Sequence, residues 1–181
     1  MCFLAKLGLV FALEYARRLG NRRIFVATAQ AFDGEMRDRI ARHRDERGQD
    51  FTTVEEPLEL GRVLRESGDV DVVLVDCLTL WLSNLLLRDS TVDDVEREVE
   101  NVVTELKQRR CHVVLVSNEV GLGIVPETTL GRIFRDIVGR VHQRLASEAD
   151  EVYFAAMGTV LRLVPSPVVG FRPGEMPTGT P

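Results

Sequence analysis

Two dense β-branched runs constrain this chain most: VDVVLVD at 70–76 and HVVLVS at 112–117. Neither alternates apolar with polar residues, so neither suits a sheet with one face in water; each must be covered on both sides. The neighbouring text supplies the covers. TLWLSNLLL at 79–87 reads as a strongly apolar helix. Residues 93–109 place Val95, Val99, Val102, Val103 and Leu106 on one helical stripe. Strands buried on both faces and separated by helices form a mostly parallel sheet, so the expected fold is α/β with helices on both faces.

The rest of the chain fits that plan. GLVFALEYARRL at 8–19 is expected to be a helix, stopped by Gly20-Asn21, and 23–28 a strand. A helix is expected from about Asp33 to Glu46. Another, opened by Glu55-Glu56-Pro57, covers about Leu58 to Glu66 and stops at Gly68. Thr129 to Glu148 reads as a long helix. Val152–Ala156 and Val160–Val164 read as closing strands of a C-terminal hairpin turning at Gly158-Thr159. From Pro165 the text is rich in Pro, Gly and Thr, so residues 1–164 are expected to form one domain and 165–181 a loose tail.

Composition narrows the function classes. A chain of 181 residues can bury one substantial core. A formal net charge of -5 gives no global attraction for nucleic acid. The cysteines, Cys2, Cys77 and Cys111, are scattered, with no zinc spacing and no disulfide framework, which fits a reducing cytoplasm. The apolar run Leu7–Leu13 is far short of the ~20 residues that span a bilayer. Glu14, Arg17 and Arg18 follow it where a signal peptide would need small residues.

In parallel α/β sheets, ligands sit outside the carboxyl ends of the strands. That rule selects Thr28-Ala29-Gln30, Asp76 and Asn118-Glu119, which should line one crevice. Asp76 ends an apolar strand in the Walker-B manner, where a carboxylate reaches Mg²⁺ or water beside a nucleotide phosphate. Many buried strands end in Asp for structural reasons alone, and Asn118-Glu119 reads equally well as a strand cap.

His43 lies among Arg39, Arg42, Arg44 and Arg47. Positive neighbours disfavour imidazolium, leaving a neutral, nucleophilic ring beside groups that hold phosphate. The plainer alternative is a solvated helix face with an incidental histidine. Trp81 reads as core or subunit interface, and Arg132, Arg135, Arg140 and Arg144 as a solvated or intersubunit face. His112 and His142 have no carboxylate or cysteine partners at metal-ligand spacing and read as structural.

Four blocks then resemble one family in order: ATAQAFDGEMRDRIARHRDER, VLVDCLTLWLSNLL, VVLVSNEVGLGIVPET and GRIFRDIVGRVHQRLASEADEVYF. They are similar to the bifunctional adenosylcobinamide kinase / adenosylcobinamide-phosphate guanylyltransferase family of cobalamin biosynthesis, over about residues 11–164. The resemblance implies a RecA-like P-loop fold and a cytoplasmic homotrimer. It implies phosphorylation of adenosylcobinamide by GTP or ATP with Mg²⁺. GMP then passes from GTP to adenosylcobinamide phosphate through a guanylylated histidine. By the same resemblance His43 is the nucleophile, and Arg44, Asp45, Glu46 and Arg47 contact the nucleotide. Thr28, Ala29, Gln30, Glu55 and Asp76 match further nucleotide-binding positions, with Asp76 a candidate Mg²⁺ ligand.

One departure stands out. The family begins with a strand and a GGARSGKS-like loop ahead of its FALE-type helix. Here Phe11-Ala12-Leu13-Glu14 is present, but Leu7-Gly8-Leu9-Val10 stands where GKS and its successor belong. A P-loop needs glycines so that backbone N–H groups cradle phosphate, and a lysine to reach it. Three accounts compete: a mis-assigned or damaged start, which is preferred because the other motifs are intact; a cloning artefact; or a pseudoenzyme. The rival functions are therefore a catalytically inactive nucleotide-binding or structural subunit, and another small P-loop nucleotide kinase that uses no covalent histidine.

Overall fold

The computed structural model describes residues 3–30, 49–88, 91–171 and 174–176. Helix α1 (Phe3–Leu19) leads into strand β1 (Arg23–Ala27). Then follow β2 (Thr52–Glu55), α2 (Leu60–Glu66), β3 (Val72–Asp76), α3 (Leu78–Leu87), α4 (Val92–Gln108) and β4 (His112–Val116). Helix α5 (Thr129–Ala146) precedes β5 (Val152–Ala156), β6 (Thr159–Val164) and β7 (Val169–Phe171). The helix expected at Asp33–Glu46 lies outside the described residues.

The first four strands form one parallel sheet in the order β2-β1-β3-β4. Val72, Val73, Leu74 and Val75 of β3 are fully buried, as an all-apolar central strand must be. Side chains alternate between faces. Val26, Val73 and Val75 meet α2, α3, α4 and α5 through Leu60, Trp81, Val102 and Val138. Phe25, Val72 and Leu74 meet α1 through Leu9, Leu13 and Ala16. The α/β arrangement with helices on both faces and a C-terminal antiparallel unit is therefore as the sequence predicts.

Three differences are informative. Strand β2 was not anticipated, because TTVE is short, mostly exposed and has one apolar residue; backbone pairing to β1 creates it. Strand β7 falls inside the stretch expected to be a tail and pairs with β6, opposing Phe171 to Val160. Helix α1 starts at Phe3 and runs unbroken through Gly8, whose added Cβ would meet the Ala155 Cβ at 3.8 Å.

The β5-β6-β7 sheet is antiparallel, and α1 lies against β3, β4 and β5. Aromatic rings fasten this unit: Phe11 and Tyr153 have centroids 4.9 Å apart, and Tyr153 and Phe171 6.4 Å. Tyr15 donates its hydroxyl to Glu151, and so does Tyr153. Burial, then the nearby Glu151 charge, pushes the Tyr153 phenol up to about 12.

Helix ends are capped from within. Thr91 and Asp94 form a reciprocal capping box at the start of α4. The Thr128 hydroxyl accepts from Gly131 N at 3.1 Å to begin α5. Two of the arginines read as a solvated or intersubunit face pair within the chain: Arg140 with Glu96 at 3.1 Å and Arg144 with Glu100 at 2.7 Å, both carboxylates on α4. Such exposed pairs add little stability.

The turn into α2 depends on Glu56. Its Oε1 accepts from Leu58 N at 3.0 Å and Glu59 N at 2.9 Å, and its Oε2 from Arg62 at 2.6 Å. Burial pushes this carboxyl up, but the two backbone donors and Arg62 outweigh it and hold it below the ordinary value. A depressed folded-state pKa stabilises above the unfolded value, and that stabilisation is lost as pH falls through the folded one. Glu56→Ala should therefore cost about 1 kcal/mol at pH 7 in urea unfolding, with the difference fading below roughly pH 4.

Candidate functional site

The four parallel strands end level. Ala27 stands opposite Glu55 on one side and Asp76 on the other, and Asp76 stands opposite Val116. Thr28, Glu55, Asp76 and Ser117 therefore leave the sheet along one edge, the carboxyl edge at which α/β folds bind ligands.

Short bonds knit that edge. Thr28 N donates to Asp76 O at 3.1 Å. The Thr28 hydroxyl donates to Cys77 O and accepts from Cys77 N, both at 2.8 Å, and the residue is fully buried. The Asp76–Cys77 peptide is cis. Because its side chain and N–H are used inside the protein, Thr28 shapes the edge as a strut. Ala29 and Gln30, both half-buried, follow it past the end of β1. Cys77 is buried, and burial followed by the neighbouring Asp76 charge pushes its thiol up, so it is no nucleophile at neutral pH.

Helix α3, which starts directly after Asp76-Cys77, fixes the exits of β1 and β2. Asn84 Nδ2 donates to Thr28 O at 2.8 Å and to Pro57 O at 3.1 Å. Trp81 Nε1 donates to Leu58 O at 2.8 Å. Of the two readings of Trp81, core or subunit interface, its complete burial within the chain favours the core, while Asn84 has no role in the sequence reading. Asn84 was detectable as an amide set in the apolar run TLWLSNLLL.

Past β4, Asn118 Nδ2 donates to Thr79 Oγ1 at 2.8 Å, and Thr79 Oγ1 lies 3.1 Å from Cys77 Sγ. Asn118 is thereby drawn toward the Asp76 end of β3. Its neighbours turn to α5. Ser117 Oγ is 2.7 Å from His142 Nε2, and His142 Nδ1 is 3.5 Å from Glu119 Oε2. The other Glu119 oxygen accepts from Gly121 N. His142 thus has a carboxylate partner supplied by the fold, 23 positions earlier in the chain (142 minus 119), which no local spacing reveals. His112 opens β4 and lies at the opposite end of the sheet.

Of the residues singled out by sequence, Thr28, Ala29, Gln30, Glu55, Asp76, Asn118 and Glu119 follow or close strands at this edge. Glu55 is exposed and Asp76 half-buried. His43, Arg44, Asp45, Glu46 and Arg47 lie outside the described residues. Among the described residues no group of three His, Cys, Asp or Glu side chains could hold a metal ion by itself. One strand-end carboxylate suits Mg²⁺ nonetheless, since that ion takes one or two carboxylates and fills its shell with substrate phosphate and water. No glycine-rich phosphate cradle occurs among the described residues, where α1 is continuous.

A parallel sheet with this polar carboxyl edge has the layout of a P-loop-like nucleotide-binding enzyme. The chain belongs to the cobinamide kinase / cobinamide phosphate guanyltransferase family, whose sequence model matches residues 10–163, and it is accordingly a transferase. It is 43% identical to the bifunctional adenosylcobalamin biosynthesis protein CobP of Pseudomonas aeruginosa over 145 residues, 80% of this chain and 83% of that protein. It is 36% identical to the bifunctional adenosylcobalamin biosynthesis protein CobU of Escherichia coli over 153 residues, 77% of this chain and 84% of that protein. The same identity and coverage hold for CobU of Salmonella typhimurium. Among the described residues no helix is long and apolar enough to cross a membrane.

Proposed function

We propose that this chain phosphorylates adenosylcobinamide and then transfers GMP from GTP to adenosylcobinamide phosphate, giving adenosyl-GDP-cobinamide. The work is assigned to a single domain over residues 1–164, to whose C-terminal sheet β7 adds a strand, acting in the cytoplasm as a homotrimer. The observation that carries the reading is the family match across residues 10–163, joined to a carboxyl edge on which Glu55, Asp76 and Asn118-Glu119 converge. The exposed apolar side chains Leu122, Ile124, Val125 and Leu130 beside that edge support self-association.

In the guanylyl step a neutral His43 nitrogen attacks the α-phosphorus of GTP. A P–N bond forms, and the α–β bridging bond breaks to release pyrophosphate. The phosphate oxygen of the corrinoid substrate then attacks the same phosphorus, the P–N bond breaks, and histidine is regenerated. Arg44 and Arg47 offset the phosphate charge, Asp45 and Glu46 meet the guanine or ribose edge, and Ala29 and Gln30 line the nucleotide on the β1 side. Asp76 would hold Mg²⁺, which when bound neutralises charge on the transferring phosphates.

Incubation with GTP labelled at the α-phosphate tests this. The unaltered chain should retain label in an acid-labile, base-stable adduct, and His43→Ala should retain at least 100-fold less. Equal labelling of the variant would remove His43 from the mechanism.

The unbroken α1, with Gly8 inside the helix, favours a second reading as a nucleotide-binding subunit without turnover. Calorimetry with GTP and with adenosylcobinamide, set beside a turnover assay, separates the two. Binding without product supports the second reading, and rapid turnover rejects it.

A further inference from the structure

The kinase half of the proposed function needs a group to take the proton from the acceptor hydroxyl. Four carboxylates stand at the carboxyl edge among the described residues. Glu55 lies at the margin, on the outermost strand. Glu56 is committed to Arg62 and to two backbone donors. Asp76 ends the central strand and is the group suited to the nucleotide's cation. Glu119 remains, two residues beyond Ser117 and next to the Asn118 that bonds to Thr79.

Glu119 is held from both oxygens. One accepts from Gly121 N, and the other faces His142 Nδ1 at 3.5 Å. His142 is itself oriented by Ser117 Oγ, 2.7 Å from its Nε2. With the ring proton on Nδ1, Nε2 accepts from the serine hydroxyl and the protonated Nδ1 lies 3.5 Å from the carboxylate. This is the arrangement of a base and its orienting group, and a distance of 3.5 Å before substrate binds is within what such pairs show. At 39% side-chain exposure, Glu119 is open to a substrate, while His142, at 25%, is largely enclosed.

Resting on the phosphotransfer reading above, we infer that Glu119 is the general base for the acceptor hydroxyl and that His142 is its positioning residue. Glu119 removes the hydroxyl proton as the acceptor oxygen bonds to the γ-phosphorus. The bond from that phosphorus to the β–γ bridging oxygen breaks, and the nucleoside diphosphate leaves with the electron pair. The proton remains on Glu119 until it passes to solvent.

The test is steady-state phosphorylation of adenosylcobinamide by the full chain and its variants, with nucleotide affinity measured by calorimetry. Glu119→Gln should lower kcat by about 10²-fold or more while nucleotide Kd stays within threefold. His142→Ala should lower kcat about tenfold. His142→Asn places an amide N–H near the Nδ1 position, so it keeps the donor to Glu119 and loses the bond to Ser117. It should return kcat to within threefold of the unaltered chain, a rescue that a merely structural role would not give. If His142→Asn is as slow as His142→Ala, the positioning role is overturned. If Glu119→Gln turns over as fast as the unaltered chain, the base assignment falls alone. An unaltered chain that phosphorylates no adenosylcobinamide overturns the phosphotransfer reading and this role with it.

Discussion

Asp76→Asn is expected to leave the fold intact and to reduce both phosphorylation and guanylylation by at least 100-fold. The substitution is nearly isosteric, and the backbone groups of residue 76 keep their partners, including the bond from Thr28 N to Asp76 O at 3.1 Å. What it removes is the carboxylate at the end of the central strand, level with Ala27 on one side and Val116 on the other. A cation that neutralises transferring phosphate is worth several kcal/mol in such steps, and a neutral amide holds Mg²⁺ poorly. The Cys77 thiol also loses the neighbouring charge that helps to push it up, although burial, the larger cause, persists. Circular dichroism should match the unaltered chain. Activity within threefold of it would mean that the nucleotide's charge is managed elsewhere.

Trp81→Ala should be the most destabilising single change outside the reacting groups. Trp81 is fully buried among Leu60, Leu82, Val102 and Ile137, and its indole N–H satisfies Leu58 O at 2.8 Å. Truncation opens a cavity costing about 3–5 kcal/mol. It also leaves the part-buried Leu58 carbonyl without its donor, at about 1 kcal/mol or less. Domains of this size are stable by about 5–15 kcal/mol, so the variant should unfold at a much lower urea concentration or accumulate poorly. Trp81→Phe should recover most of the packing and forfeit the hydrogen bond. An Ala variant with an unchanged urea midpoint would show that α3 does not anchor the β2 exit.

The central features were legible because burial writes itself into composition. VVLVD and HVVLV read as strands, the first buried at the sheet's centre and the second only half-buried at its edge, and a parallel sheet brings Thr28, Asp76 and Asn118-Glu119 to one edge. What escaped depends on partners distant in the chain. TTVE is a strand only because β1 supplies its hydrogen bonds. Val169–Phe171 is one because β6 does, despite surrounding prolines. His142 is read as inert from its helix, since Ser117 and Glu119 come from another element. Asn84 is hidden by an otherwise apolar run and shows its purpose only when Thr28 O and Pro57 O are both placed beside it. The departure at Leu7-Gly8-Leu9-Val10 was also legible: those residues continue α1 as helix.

The account depends most on a nucleotide's phosphates lying at the carboxyl edge of the β2-β1-β3-β4 sheet. Paramagnetic broadening of backbone amide signals by Mn²⁺·GTP measures that directly, because the effect falls steeply with distance. Val72 and Asp76 are about 13 Å apart along β3, at ~3.3 Å per residue, so the two ends of the sheet are well separated. The amides of Ala29, Gln30, Cys77 and Asn118 should broaden strongly, while those of Arg23, Val72 and His112 stay sharp. The reverse pattern, or broadening that ignores the strand ends altogether, would contradict the account.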